Sequence, residues 1–190
     1  MGRNLEKMSD EELYQLLKAD KVALEEAFTE FYNRYSPKVY AFCKRFIGNT
    51  ETAKDIFQEV FIRFHRTLGD KRFLTNTLGF LLTIARNLCL NEIRRVSSRV
   101  DFEEYKSIKF DNRAESDELL ELVKSSIELL PDDYREMFIL REYDGMSYNE
   151  IAEITQTNIN TVKVKLFRAK KMLRQILEPY LADYDFGKNM

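Results

Sequence analysis

The sequence predicts an all-α protein of two small helical domains joined by a flexible acidic linker. Glycine and proline are scarce, 6 and 3 in 190 residues, so little interrupts helix-compatible sequence. Apolar residues recur at steps of three and four in both halves of the chain. Between the halves the acids Asp101, Glu103, Glu104, Asp111, Glu115, Asp117, Glu118 and Glu121 outnumber Lys106, Lys109 and Arg113, and the apolar periodicity lapses, as suits a solvated connection. With 44% hydrophobic residues, each half can bury a core. The expected boundaries are a first domain over 1–98, a linker over 99–117, a second domain over 118–178 and a tail over 179–190.

Ser9 and Glu12 have capping-box spacing and open a short helix carrying Leu13, Leu16 and Leu17. Leu24, Phe28, Phe31 and Tyr35 follow at helical spacing. Ser36-Pro37 then reads as an N-cap with proline at the first helical position, so a separate helix is expected from there, burying Tyr40, Cys43 and Ile47. Gly48-Asn49-Thr50 ends it. Ala53, Ile56, Phe57, Val60, Phe61 and Phe64 form the stripe of the next helix. After a polar loop from Gly69 to Thr77, a long helix carries Leu78, Leu81, Leu82, Ala85, Leu88, Cys89 and Ile93. In the second half Leu119, Val123, Ile127 and Leu130 restore the helical period, and Pro131-Asp132-Asp133 makes a stop and a fresh start. One helix is expected over Tyr134–Tyr143, with Met137, Phe138 and Leu140 in the core, closed by Asp144-Gly145.

Several function classes lack their residues. Cys43 and Cys89 are far apart, lie in apolar helical patterns and form no CxxC, which favours buried free thiols in a reducing compartment over a disulfide or metal pair. His65 is the single histidine and reads as a helix-surface residue, and no glycine-rich phosphate loop or GxSxG is present. No cofactor, metal or catalytic group is therefore expected. The N-terminus has no apolar signal core and no run approaches the ~20 residues of a spanning helix, so a cytoplasmic, soluble protein is expected.

The chain has a formal net charge of -2, yet NTVKVKLFRAKKMLR, Asn160–Arg174, carries only basic charge: Lys163, Lys165, Arg168, Lys170, Lys171 and Arg174. Ahead of it, Ser147 and Glu150 form a second capping box, starting a short helix that buries Ile151 and Ile154. Thr155-Gln156-Thr157-Asn158 is a polar turn whose Asn158 can cap the next helix, and Ala152 is small where two helices would cross. Val162, Leu166, Ala169, Leu173 and Ile176 form one inward stripe, and the basic residues lie off it. Helix, tight turn and amphipathic basic helix is how a helix-turn-helix offers its second helix to a major groove. Asn158, Asn160 and Thr161 would meet base edges or phosphate at the helix N-terminus, and Lys163, Lys165 and Arg168 can reach phosphates or guanine. A charge run alone is usually a solvated face; the ordered cap, turn and stripe favour DNA. The acidity elsewhere confines attraction for DNA to the docking faces.

The first domain has a basic ridge of its own. In ARNLCLNEIRRVSSR, Arg86, Asn87, Asn91 and Arg94 share one side at helical spacing, with Arg95 and Arg99 beside them. A ridge of this kind next to the polar loop GDKRFLTNT could track a single strand and hold unstacked bases; an Arg-rich helix end is as often merely solvated.

AKDIFQEVFIRF, FLLTIARNLCLNEIRR, LPDDYREMFILREYDGMSYNEIAEI and NTVKVKLFRAKKMLR together resemble the extracytoplasmic-function (ECF) sigma factors of bacterial RNA polymerase, over about residues 20 to 178 and in the same order. The resemblance implies two helical domains, region 2 and region 4, joined by a flexible linker. It implies that Asp55, Gln58, Glu59 and Phe61 dock on the core polymerase, that Arg72, Thr75, Asn76, Thr77, Arg86, Asn87, Asn91, Arg94 and Arg95 read and melt the −10 element, and that Asn158, Asn160, Thr161, Lys163, Lys165 and Arg168 read the −35 element. The family often has Trp near Phe80, an aromatic near Thr77 and glycine where Gln156 stands. It also implies an anti-sigma factor as a regulatory partner, alongside core polymerase and promoter DNA. The alternative is a stand-alone dimeric helix-turn-helix regulator acting on palindromic sites. A helical interaction module without DNA activity would require the basic helix to be incidental.

Overall fold

The computed structural model describes residues 4–17, 20–67, 76–97 and 115–181. Most of the expected linker, residues 68–75 of the polar loop, Arg99 and the end of the tail lie outside the described residues. The chain divides into two compact units, with a division at Val96–Ser97.

The first unit opens with a short 3-10 turn, Leu5–Lys7, and α1, Asp10–Leu16. The expected capping box is formed: Ser9 Oγ accepts from Glu12 N at 3.2 Å, and Ser9 N donates to Glu12 Oε2 at 2.7 Å. Leu13, Tyr14 and Leu17 are buried.

Next is α2, Lys21–Ile47, one continuous helix capped by Asp20, whose Oδ1 accepts from Ala23 N at 2.9 Å. The expected break at Ser36-Pro37 does not occur, and Pro37 sits inside the helix. Proline removes one backbone hydrogen bond and costs about 3 kcal/mol in a helix interior. Here burial on both sides offsets that cost, because Phe31, Val39, Phe42 and Cys43 are all fully buried while Pro37 itself faces outward. Gly48, at φ 77, ends α2 in a backbone region that favours glycine.

Asn49 caps α3, Thr50–Arg66, accepting from Thr52 N at 2.9 Å. The stripe of α3 meets α2 in an aromatic cluster. Phe61 lies 4.8 Å from Tyr32, 5.3 Å from Phe57 and 6.4 Å from Phe64 between ring centroids, and Phe64 lies 5.6 Å from Phe31. α4, Thr77–Ser97, buries Leu81, Leu82, Ala85 and Cys89.

The second unit holds α5, Glu115–Glu128, and α6, Asp132–Phe138, which continues into a π-helical turn over Ile139–Tyr143. A single α-helix was expected over Tyr134–Tyr143. The widened turn, closed by Asp144 N donating to Ile139 O at 3.2 Å, accompanies full burial of two successive residues, Ile139 and Leu140. Gly145, at φ 70, then reverses the chain. α7, Tyr148–Thr155, and α8, Ile159–Leu181, complete the unit, and α8 packs on α5 and α6. Among the described residues no helix is long and apolar enough to cross a membrane.

Candidate nucleic-acid interface

α7 begins with the expected second capping box: Ser147 N donates to Glu150 Oε2 at 2.8 Å, and Glu150 N to Ser147 Oγ at 3.2 Å. Its C-terminus closes with Thr157 N donating to Ala152 O at 3.0 Å, around a left-handed Gln156 at φ 53. Gln156 is the one described non-glycine residue at positive φ, and its side chain is exposed. Asn158 then caps α8, its Oδ1 accepting from Asn160 N at 2.8 Å.

Along α8, Val162, Leu166, Ala169 and Leu173 are buried, as their spacing requires. The opposite face carries exposed Asn160, Thr161, Lys163, Arg168, Lys171 and Arg174. Two of the basic residues are engaged within the unit. Lys165, half-buried, pairs with Asp133 at 2.8 Å, and Lys170 pairs with Glu142 at 2.8 Å. Their charge is thus partly answered before any ligand arrives. Sequence reasoning missed Phe167, 71% exposed, and Val164, 47% exposed. An apolar pair three residues apart and off the inward stripe was the available signal, and such side chains can meet a thymine methyl in a major groove.

In the first unit, Asp55 and Gln58 are exposed on α3, and Glu59 is half-buried with its Oε1 accepting from Arg63 Nε at 2.7 Å. Phe61 differs from its expected role: at 4% exposure it is a core residue that supports the surface and offers little of itself to a partner. Beside Gln58 lies a shallow cleft of about 370 Å³ lined by Ser36, Pro37, Tyr40, Lys54 and Phe57.

The −10 candidates divide similarly. Arg72 and Thr75 lie outside the described residues. Asn76 is the N-cap of α4, accepting from Gly79 N at 2.8 Å. A Cβ on Gly79 would stand 2.7 Å from the Asn76 amide, so the cap needs glycine there. Thr77 is 3% exposed and hydrogen-bonded to Tyr35, so it faces the interior where a DNA contact was expected. Farther along α4, Asn87, Asn91 and Arg94 are exposed at steps of four and three, with half-buried Arg86 at their head. Arg86 Nη1 donates to Asn87 Oδ1 at 3.4 Å, and Arg95 holds Glu92 with two bonds of 2.8 and 2.6 Å. That pairing raises the Arg95 pKa through the hydrogen bond and charge of Glu92.

A second unit built as a helix-turn-helix with an exposed polar and basic helix face defines the class of a DNA-binding protein. Sigma-70 region 2 matches residues 31–99 and Sigma-70 region 4 matches residues 120–173. The chain is 33% identical over 172 residues to the ECF RNA polymerase sigma-E factor of Escherichia coli K12, covering 83% of this chain and 90% of that protein. It is 30% identical over 188 residues to ECF RNA polymerase sigma factor SigW of Bacillus subtilis, covering 91% and 98%. The fold matches the sigma factor RpoE of Bartonella quintana, solved with the anti-sigma factor NepR, with a TM-score of 0.67 and 25% identity over 80% of this chain and 96% of that one. CnrH, solved with the cytosolic domain of CnrY, matches with a TM-score of 0.68 and 20% identity over 90% and 97%. The chain belongs to the ECF sigma factors, the transcription initiation factors that direct bacterial RNA polymerase to promoters.

Proposed function

We propose that this sigma factor divides promoter recognition between α8 and α4, in the cytoplasm and without an enzymatic activity of its own. The observation that carries the reading is the exposed face of α8, which runs from a capped N-terminus just after a tight turn. Asn158, Asn160 and Thr161 stand at the positive end of the helix dipole, where short polar side chains reach base edges. Lys163 and Arg168 flank them, and Phe167 and Val164 add apolar contacts. Lys171 and Arg174 lie farther along and serve phosphates. Lys165 contributes only by exchanging Asp133 for phosphate.

In the first unit Asn87, Asn91 and Arg94, with Arg86 and Arg95, line the non-template strand of the −10 element, and Asp55, Gln58 and Glu59 meet core polymerase. Opening needs no nucleotide hydrolysis, since contacts to an extruded base and its backbone offset an unpairing cost of a few kcal/mol. The solved RpoE relative carries an anti-sigma factor, and exposed Phe167, Val164 and Ile62 are apolar surface for such an inhibitor here. The test is run-off transcription with purified core polymerase on genomic fragments. Initiation from defined promoters, abolished by the combined Lys163→Ala and Arg168→Ala changes, supports the reading. Failure to bind core, or core binding with no directed initiation, refutes it.

A further inference from the structure

Thr77 was expected to touch DNA, yet it is buried, and what it touches leads to the N-terminal segment. Its hydroxyl is hydrogen-bonded to the Tyr35 phenol of α2. That phenol in turn donates to Asp10 Oδ2 of α1 at 2.5 Å. The other carboxylate oxygen of Asp10 accepts from Arg34 Nη1 at 2.8 Å. Arg34 Nη2 reaches Glu30 Oε1 and Met8 O, each at 3.0 Å, and Leu5 O at 3.4 Å. One chain of hydrogen bonds, charge-assisted at Arg34 and Asp10, therefore runs from Leu5 and Met8 to Thr77 at the start of α4. The Sigma-70 region 2 match begins at residue 31, so the α1 end of this chain lies outside it.

Position along α4 gives the link its consequence. Thr77 and the Asn76 cap fix where the helix begins, and a helix transmits a displacement at its start along its whole length. Asn87, Asn91 and Arg94 sit about 15–25 Å farther on at 1.5 Å per residue. Recognition of an extruded base tolerates little misplacement. We propose that Asp10 and Tyr35 are positioning residues for promoter opening, holding Thr77 so that α4 presents its strand-binding side in register, which makes the N-terminal helix part of the opening machinery. This rests on the reading of α4 as the −10 face.

The test uses holoenzyme reconstituted with core polymerase and a single-stranded DNA selected by wild-type holoenzyme from a random pool. Tyr35→Phe keeps the ring against Phe31 and removes only the hydroxyl, and Thr77→Val keeps shape and removes the donor. Each variant is expected to lose about 3- to 10-fold in strand affinity, the range of one hydrogen bond, with core affinity unchanged. The two combined should lose no more than either alone, because they break the same link. Thr77→Ser, which retains the hydroxyl, should restore wild-type affinity. Full affinity in both single variants, multiplicative losses, equal loss in core affinity, or failure of Thr77→Ser to rescue would each overturn the proposal while leaving the −10 reading in place. A wild-type holoenzyme that enriches no strand removes the −10 reading itself, and the proposal with it.

Discussion

α4 and α8 are both proposed to face DNA, and they do so with opposite ends of themselves. α8 presents its N-terminus: Asn158 caps it in the open, and Asn160, Thr161 and Lys163 are exposed. α4 hides its N-terminus: Thr77 is 3% exposed, and the exposed polar side chains of the ridge begin at Asn87, about three turns later. The difference suits the proposed targets. A helix entering a major groove reads base edges with its first turns, where the dipole also favours phosphate. A helix that lines an opened strand is read from its side and needs a fixed base instead. Exposure of a helix start is therefore a guide to which kind of contact the helix makes.

The largest effect that could break this comparison lies beneath the first unit. Phe61→Ala should cost about 3–5 kcal/mol, since the ring is packed among Tyr32, Phe57 and Phe64. Gln58→Ala, an exposed change, should stay within about 0.5 kcal/mol and lower core affinity alone. Urea unfolding followed by circular dichroism separates the two. A Phe61→Ala protein of unchanged stability with impaired core binding would return Phe61 to the contact surface.

Next in size is the reading end of α8. Arg168→Ala should lose about 1–3 kcal/mol on a −35 duplex and relax preference at one base pair, as a base contact does. Lys171→Ala should weaken all sequences alike and reduce the slope of log affinity against log salt by about 0.9. Lys165→Ala and Lys170→Ala should change that slope less, because Asp133 and Glu142 already partly offset those charges. Asp133→Asn should raise it. Fluorescence anisotropy across a salt series measures all of these.

Which of these features the sequence revealed depends on how local the cause is. Both capping boxes, the Asn158 cap, the inward stripe of α8 and the exposed Asn87, Asn91 and Arg94 side were legible, because each rests on spacing within one helix. The continuation of α2 through Pro37 was not. The local signal at Ser36-Pro37 is a helix start, and only burial of Phe31 and Phe42 on either side overrides it. Phe61 and Thr77 were misplaced for a related reason: a resemblance transfers the face of a helix well, but burial is decided by neighbours from other helices, here Tyr32 and Tyr35. Lys165 likewise looked available until Asp133 was found beside it.

A smaller prediction sharpens the turn between α7 and α8. Gln156 holds a left-handed backbone, which is unfavourable for any residue with a Cβ. Gln156→Gly relieves that strain but gives the unfolded chain more freedom, so the net gain should be about 0.5–1 kcal/mol. DNA affinity should change little, since the exposed face of α8 is untouched. A loss of stability on this change would mean that the Gln156 side chain makes contacts worth more than the strain.

The smallest effect at neutral pH tests the anchoring of α4 from the other direction. Burial, and then the hydrogen bond to Asp10 and its charge, push the Tyr35 phenol up from 10 to about 12. The folded state thus holds this proton more tightly than the unfolded chain does. Its contribution to stability is fully present below about pH 10 and is lost as pH rises toward about 12. Wild-type protein should therefore lose stability across that window, while Tyr35→Phe, lacking the proton, should show a flatter decline from a lower starting point. Ultraviolet titration of the phenolates, taken as the difference between the two proteins, should place the missing ionisation at the upper end of the window. An ionisation near pH 10 would mean that Asp10 does not hold the phenol in solution, and the helix start at Thr77 would lose the tie that distinguishes it from the open start of α8.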